Sequence, residues 1–310
     1  MKKLSIILAC VLVILAACTK ENGVQPPEGA IDGLFTINDN GDQVYFSQGN
    51  LQYQASTNTW RFAENQWDFV GDSVWGTVYE NGDKCDNSQI SSDYGGWIDL
   101  FGWGTSGWNN GNTYYHPWNY EMDDSQDHGF GYGPTDGSNY AFDLTDNYVY
   151  SDWGVYNAIS NGGNRRHQWR TLTSDEWVYV FNIRSTLSGI RYLKANVNSI
   201  NGLVLLPDNW TDSTFCLCDV NNEEALFNSN VLGAADWNVL EKAGAVFFPA
   251  AGGRYKNIVS EEGTFCKYWS STHLHRDGAN CMGFAEGYVF PNGNTTRNYG
   301  HAVRLVQDAQ

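Results

Sequence analysis

Charged residues are scarce in this chain, and basic ones are scarcer still. Lys and Arg together number 18 among 310 residues, against 35 Asp and Glu, which leaves a formal net charge of −17 at pH 7. An acidic surface of this kind repels the phosphate backbone of nucleic acids. The composition therefore excludes nucleic acid as a partner and predicts a well-solvated, self-repelling surface.

The seven cysteines lack any spacing typical of a metal site. No cysteine and histidine are spaced as in a zinc site, and Cys216 and Cys218 are too close in sequence to form an easy mutual bridge. Apart from Cys10 and Cys18, an odd number remains, so at least one thiol stays free or pairs outside the chain. We predict no metal and no cofactor. The remaining thiols are those of Cys85, Cys216, Cys218, Cys266 and Cys281.

Aromatic residues and glycine are abundant instead. The chain has 13 Trp, 18 Tyr and 33 Gly, and its 42% apolar content is enough to build a core. Only 17% of the residues are charged, so many short strands and turns are expected in place of long charged helices. The fold class predicted is α+β, with short antiparallel sheets and long loops.

The first residues, MKKLSIILACVLVILAAC, combine two lysines with an apolar run from Leu4 to Ala17. This run is shorter than the ~20 residues of a membrane-spanning helix, which favours a cleaved signal over a permanent anchor. The ending LAAC resembles a bacterial lipobox, and this resemblance implies lipidation of Cys18 after removal of residues 1–17. Cys10 is a competing match, but it leaves too short an apolar run before it.

Residues 18–32 are polar, contain Pro26 and Pro27, and are predicted to form a flexible tether. The segment from Thr19 to Asn22 resembles the signals that send lipoproteins of the Bacteroides group to the cell surface. The predicted location is the outer membrane, with the lipid as the only membrane contact. No repeat or composition break divides the rest, so residues 33–310 are predicted to form one domain.

Local patterns predict several elements. Strands are expected at 44–47, 51–54 and 59–62, a capped helix at 174–185, a second helix at 234–242 and a buried strand at 245–249. Segments 268–271, 281–285 and 302–306 complete a terminal sheet. The stretch 71–150 is predicted to form long loops packed by their own aromatic side chains. Its three aspartates could bind calcium or simply be solvated: Asp123, Asp124 and Asp127.

Several motifs together resemble one family. WRTLTSDEWVY, starting at Trp169, is similar to the signature of the formylglycine-generating-enzyme group, a variant of the C-type lectin fold. GAVFFPAAG from Gly244, the YWSST to VRLV ending and the opening FSQGNLQYQ resemble surface lipoproteins that share this fold. The resemblance implies two helices against antiparallel strands, paired terminal strands, and exposed loops between YWSST and VRLV.

The resemblance to an oxidase does not extend to its chemistry. Family members hold copper between two cysteines that are five residues apart and follow a tryptophan. Measured from Trp269, those places hold Ser271 and Arg276, while Cys266 and Cys281 are fifteen residues apart. Ser270 and Ser271 also lack the context of an activated nucleophile. The expectation is a protein that is not an enzyme, although His273 and His275 could in principle act as bases or bind a metal.

A binding role is the alternative that the sequence favours. Loops on a rigid scaffold carry recognition, and eight polar residues of the last segment are candidate ligand-binding residues. The expected partner is a protein or a glycan, bound without calcium because no faithful calcium-lectin motif occurs, and the chain is predicted to be monomeric. A structural surface or fimbria-associated subunit remains open. The eight candidates are His273, His275, Arg276, Asp277, Asn280, Asn292, Asn294 and Arg297.

The stretch HLHRDGANC suggests one more hypothesis. In some bacterial proteins of this fold, diversity-generating retroelements rewrite adenines in the codons of the last segment. An asparagine codon altered in this way yields His, Asp, Gly, Arg, Leu, Cys or Ser, and HLHRDGANC consists almost wholly of these residues. An ordinary solvated loop is the alternative interpretation.

Overall fold

The computed structural model describes residues 25–70, 84–86, 90–108, 142–211, 215–255, 258–275 and 278–309. Sixteen strands lie in these ranges. They are β1 (Phe35–Thr36), β2 (Gln43–Phe46), β3 (Leu51–Gln54), β4 (Thr59–Phe62), β5 (Lys84–Asp86), β6 (Trp97–Ile98), β7 (Tyr192–Val197), β8 (Ile200–Leu205), β9 (Val231–Leu232), β10 (Val246–Pro249), β11 (Gly253–Tyr255), β12 (Ile258–Ser260), β13 (Phe265–His275), β14 (Gly278–Ala285), β15 (Tyr288–Thr296) and β16 (Val306–Asp308).

Helices are few and short in the described ranges. The α-helices are α1 (Trp153–Tyr156), α2 (Ser174–Val178) and α3 (Ala234–Lys242), and a π-helix (Tyr179–Ile183) continues α2. Short 3₁₀ turns cover Ala55–Thr57, Asp146–Ser151 and Phe227–Ser229. The protein is therefore a mixed α+β structure with few helices and several small sheets, as the composition predicted.

The strands form five small sheets, which is the form expected for a chain rich in turn residues. Four sheets have three strands, in the orders β1-β2-β16, β4-β3-β6, β11-β12-β5 and β13-β14-β15. The fifth has four strands in the order β10-β8-β7-β9. All strand pairs are antiparallel except β7 with β9.

Strands from near the two ends of the described chain pair with each other. Val306 of β16 lies opposite Phe46 of β2, so the pairing of terminal strands expected from the resemblance is present. The predicted strand at 302–306 instead starts at Val306. The carbonyls of Val303 and Leu305 accept hydrogen bonds from Leu51 and Ser47, which satisfies this backbone without regular strand pairing.

The last residues of the predicted tether belong to the folded body. Ala30 forms a bridge with Ser47, and the Ile31 N–H donates to the Phe46 carbonyl at 2.9 Å. The Ile31 side chain is 7% exposed and packs in the core. The tether predicted over 18–32 therefore does not extend to these two residues, because they bury apolar surface.

Helix α2 begins as its sequence predicts. Thr173 Oγ1 accepts from the Glu176 N–H at 3.1 Å, and Glu176 Oε2 accepts from the Thr173 N–H at 2.7 Å, which is a capping box. The helical segment ends at Ile183, short of the predicted 185. Arg184 leaves the helical conformation, and its Nη1 lies 2.7 Å from Asp208 Oδ1.

Helix α3 spans Ala234–Lys242, the range predicted from the sequence, and buries Trp237 and Leu240. Strand β10 follows it and is fully buried, in agreement with the continuous apolar run there. Trp237 and Leu240 of α3 and Phe247 of β10 belong to one of three buried clusters, together with residues of β7 and β8.

Two larger clusters form the centre of the fold. The first core cluster surrounds Trp177 and Phe248 and includes both Ile31 and Val306. The second core cluster surrounds Trp169 and Trp269. Six tryptophans are among the largest fully buried side chains, so these six serve packing. They are Trp103, Trp153, Trp169, Trp177, Trp237 and Trp269.

Much of the aromatic stretch 71–150 lies outside the described residues, and so do Asp123, Asp124 and Asp127. Within the described ranges, none of the helices has both the length and the apolar character that crossing a membrane requires.

Candidate functional site

The segment between YWSST and VRLV consists mainly of strands in its described part. The strand predicted at 281–285 lies within β14, and the exposed loops expected around it are wrong. β13, β14 and β15 form an antiparallel sheet with register shifts after Trp269 and after Cys281. Buried and partly exposed residues alternate from Phe265 to Tyr268 of β13, which is the period of a strand, whereas β14 is buried almost throughout. Four of the candidate ligand-binding residues therefore belong to a sheet: His273, Asn280, Asn292 and Asn294.

The two faces of this sheet contact different parts of the core. Cys266 and Tyr268 of β13 belong to the first core cluster. Trp269 of β13 and Cys281 of β14 belong to the second core cluster. Because each face is covered by a different cluster, neighbouring residues of one strand meet different surroundings.

His273 of β13 is fixed by one aspartate. Its backbone N–H donates to Asp143 Oδ1 at 2.9 Å, and its ring Nδ1 is 2.6 Å from the same oxygen. An ionised carboxylate only accepts hydrogen bonds, so Nδ1 carries a proton and donates it to Asp143. The His273 side chain is 29% exposed, and this ring is therefore oriented yet accessible.

A surface depression of about 290 Å³ lies at this pair. The Phe142 and Tyr148 rings lie 4.3 Å apart, tilted by 30°. The Leu144 N–H donates to the Ser271 carbonyl at 2.7 Å and holds the segment against β13. The depression thus combines rings with carboxylate, amide, hydroxyl and imidazole groups. Its lining is Phe142, Asp143, Thr145, Asp146, Asn147, Tyr148 and His273.

Three candidate asparagines lie together on the other face of the sheet. Asn280 is directly opposite Asn294 in the β14–β15 pairing, and directly opposed residues point to the same face. Asn292 and Asn294 are exposed, and the Ser174 hydroxyl donates to Asn292 Oδ1 at 3.0 Å. These amides form a polar strip beside the start of α2.

The structure therefore does not unite all the candidates. His273 is paired with Ala279, whose side chain belongs to the second core cluster. Asn280, the next residue, points to the opposite face because side chains alternate along a strand. His273 and the asparagine strip are on opposite faces of one sheet.

Arg297 is a correction to the predicted surface. Its side chain is only 2% exposed, and its Cζ lies 5.6 Å from the centre of the Trp103 ring. The backbone N–H of Trp103 donates to the backbone carbonyl of Arg297 at 2.9 Å. The chain turns inward after β15, so Arg297 packs inside the protein and is not available to a ligand.

The other candidates lie at the edge of the described residues or outside them. The backbone of His275 pairs with Gly278 at the end of the hairpin, but its side chain lies outside the described part. Arg276, Asp277 and Cys18 are also outside the described residues. Their roles stay predictions.

The cysteines do not fit the copper site of the resembling oxidases. Cys266 and Cys281 belong to different core clusters, on opposite faces of the sheet. Burial raises the pKa of each thiol to about 12, which disfavours the thiolate that would bind copper. Ser271, at one of the two expected ligand positions, is buried.

Sequence reasoning missed the partner of His273. Asp143 is 130 residues away from His273, in a stretch that was predicted only to form loops. The one local indication of a packed segment is the apolar Leu144 between the polar residues Asp143 and Thr145. Of these three residues, Leu144 alone is buried. No local pattern connects this segment to β13, because the contact is long-range.

Comparisons with known proteins identify no relative. No family model, no curated protein and no solved structure matches the chain.

Proposed function

We propose that this protein is a lipid-anchored binding protein of the outer membrane, held at the cell surface through Cys18. Its binding surface lies in the region 270–300, on a fold of the C-type-lectin-like class. The α+β architecture and the paired strands β2 and β16 support this fold, because the resemblance implies both. The ligand is a glycan or a protein.

The single observation that carries the binding role is the depression at His273. Its polar side chains are oriented by hydrogen bonds, as the Asp143–His273 pair shows, yet His273 and Asp143 are partly exposed. Polar groups fixed in this way lose little conformational freedom when a ligand binds. A surface used only for solvation does not require such fixed geometry.

The rings of Phe142 and Tyr148 favour a glycan at this depression. A sugar ring has an apolar C–H face, which matches the face of an aromatic ring. Its hydroxyl rim matches the side chains of Asp143, Asn147 and His273. A protein ligand would extend further over the sheet edge and contact more than one segment.

An enzymatic role has weaker support. A carboxylate that orients an imidazole also occurs in catalytic triads. In the described part of the chain, however, no serine hydroxyl and no cysteine thiol is hydrogen-bonded to the His273 ring. No group of three or more potential metal ligands occurs among the described residues either. We therefore propose a non-enzymatic protein.

Retroelement-driven variation of the 273–281 segment is a further part of the proposal. The composition of HLHRDGANC supports it, because the stretch consists almost wholly of residues that altered adenines in an asparagine codon yield. Sequencing around the gene is expected to reveal a near-identical template repeat and a reverse transcriptase. Neighbouring genes without either would contradict this part.

A glycan and protein array tests the binding role. The full chain, with and without chelator, is expected to give selective signals that do not depend on calcium. Asp143→Asn should reduce these signals about tenfold or more. The variant replaces the charged acceptor of the His273 hydrogen bonds by a neutral amide, which holds the His273 ring more weakly. Glu224→Gln, at an exposed position, is the matched control and should change nothing.

The anchor requires a separate test. Wild-type protein should fractionate with outer membranes and incorporate labelled palmitate, whereas Cys18→Ser should do neither. Equal labelling of both proteins would contradict lipidation at Cys18 and leave the binding role untouched.

A further inference from the structure

A second surface, separate from the His273 depression, lies at the other end of the same sheet. It is on the same face of the sheet as Trp269 and Cys281, at a place that the second core cluster does not cover. Lys267 of β13 is directly opposite Gly283 of β14, and Gly283 is opposite Phe290 of β15. Lys267 and Phe290 are partly exposed, so this part of the face meets solvent.

Aromatic rings cover this part of the sheet. The rings of Tyr288 and Phe290 are stacked at 5.1 Å, and Tyr288 is 43% exposed. Phe290 lies over Gly283 and Gly293, where an added Cβ would come within 2.3 Å of its ring. The two glycines thus allow the ring to lie flat on the sheet.

A cavity of about 160 Å³ opens beside this aromatic face. Tyr255 and Tyr299 meet edge to face at 5.1 Å on its wall, and Tyr255 is 39% exposed. A cavity of comparable size, about 150 Å³, holds a six-membered ring in another protein. The space is therefore sufficient for one ring of a ligand.

His301 lines this cavity and is 3% exposed. Its Nε2 lies 3.5 Å from Thr295 Oγ1, and its Nδ1 has no hydrogen-bond partner among the described residues. A Cβ at Gly253 would lie 3.2 Å from the His301 ring. A buried polar atom without a partner is costly, so such an atom at a cavity wall indicates a site that a polar ligand can complete.

The charges at this cavity differ from those of the whole chain. The lining contains two cations, Lys267 and Arg254, and one carboxylate, Glu261, although the net charge of the protein is −17. Lys267 Nζ donates to the Asn294 carbonyl at 3.2 Å. An ammonium group has three donors, so two remain for a ligand.

We propose that this cavity and the adjoining aromatic face bind a sugar ring that carries a carboxylate, such as a hexuronate unit of an acidic glycan. The C–H face of the sugar lies against the tyrosine and phenylalanine rings, whose faces are electron-rich. Its carboxylate pairs with Lys267, and its hydroxyls reach the polar atoms of the wall. The proposal does not depend on the function of the His273 depression.

Calorimetry and saturation-transfer NMR with the full chain test this site. The probes are methyl glucuronide, methyl glucoside and acetate. The glucuronide is expected to bind at least about tenfold more tightly than the other two, and its affinity should fall as NaCl is raised. Equal binding of glucuronide and glucoside, or glucuronide affinity that does not change with salt, would overturn the proposal.

Matched variants locate the binding. Lys267→Met keeps the length of the stem and should lower glucuronide affinity about tenfold or more while glucoside binding is unchanged. Tyr255→Ala should weaken both sugars, whereas Tyr255→Phe keeps the ring and should retain them. Asp143→Asn should leave glucuronide binding intact, which separates this site from the His273 depression. Loss of glucuronide binding in Asp143→Asn, or its survival in Lys267→Met, would refute the assignment.

Discussion

His273 and Arg297 were both predicted to face a ligand, and they differ in what covers them. His273 is near the end of β13, beside an open depression, and Asp143 orients its ring. Arg297 follows β15, packs against Trp103 and is 2% exposed. Polar character alone therefore does not indicate whether a residue of this segment faces solvent.

The difference lies in what each residue contributes. Removing a buried side chain leaves a cavity or breaks a contact, whereas removing a side chain at an edge changes mainly the surface. The region of Trp269 and Arg297 is expected to carry stability, and the region of His273 is expected to carry recognition. The following substitutions test this division.

The largest loss is expected at the centre of the second core cluster. Trp269 is 0% exposed, and its indole N–H donates to the Phe101 carbonyl at 2.6 Å. Trp269→Ala should lower the free energy of unfolding by about 3–5 kcal/mol, as measured by guanidinium denaturation. Asn294→Ala, on the exposed side of β15, should change it by less than ~0.5 kcal/mol. Similar losses in both variants would remove the distinction between core and surface.

Arg297→Ala should destabilise the protein by about 2 kcal/mol, because it removes both the packing of the stem and the cation over the Trp103 ring. The same denaturation experiment measures it. Binding on the array should persist in the folded fraction. If Arg297→Ala had the stability of the wild type but no longer bound on the array, Arg297 would be a ligand-binding residue and its assignment to the core would be wrong.

Acid should weaken the fold through His301. Burial, with a smaller effect from the charge of Lys267, holds the pKa of His301 well below its usual range. A lowered pKa means that stability is complete above the unfolded value of about 6.5 and is lost as the pH falls below it. The expected slope approaches about 1.4 kcal/mol per pH unit. In His301→Gln, denaturation between pH 7 and pH 5 should give a flatter profile; an identical slope would contradict the assignment.

A smaller effect is expected at the start of α2. Thr173→Ala removes the acceptor for the Glu176 N–H and should cost about 1 kcal/mol. Thr173→Ser keeps the hydroxyl and should retain most of the stability. Thermal denaturation of the two variants, side by side, measures this difference, and equal midpoints would show that the cap contributes nothing.

Local patterns were sufficient where one signal dominated. The capping box at Thr173 and Glu176 predicted the start of α2, and a helix was predicted at 234–242, where α3 lies. The helix after α2 ended at Ile183 because Arg184 turns toward Asp208. That ion pair joins residues 24 positions apart, so helical periodicity did not reveal it.

Long-range contacts determined the rest of the candidate site. The register shifts after Trp269 and Cys281 interrupt the alternation that identifies a strand. The strands predicted at 268–271 and 281–285 therefore cover only parts of β13 and β14, and β15 was expected to be a loop. Asp143 meets His273 only through the fold. The aromatic face at Lys267 was also missed, because Gly283 and Phe290 are meaningful together only when their strands are paired.

The most direct test of the division between framework and recognition surface is the triple variant His273→Ala, Arg276→Ala, Asp277→Ala, assayed on the array and by denaturation. Its free energy of unfolding should stay within ~1 kcal/mol of the wild type, while the array signals of the wild type disappear. A triple variant that unfolds far more easily, or one that binds as the wild type does, would contradict the proposal that this edge of the sheet is the recognition surface.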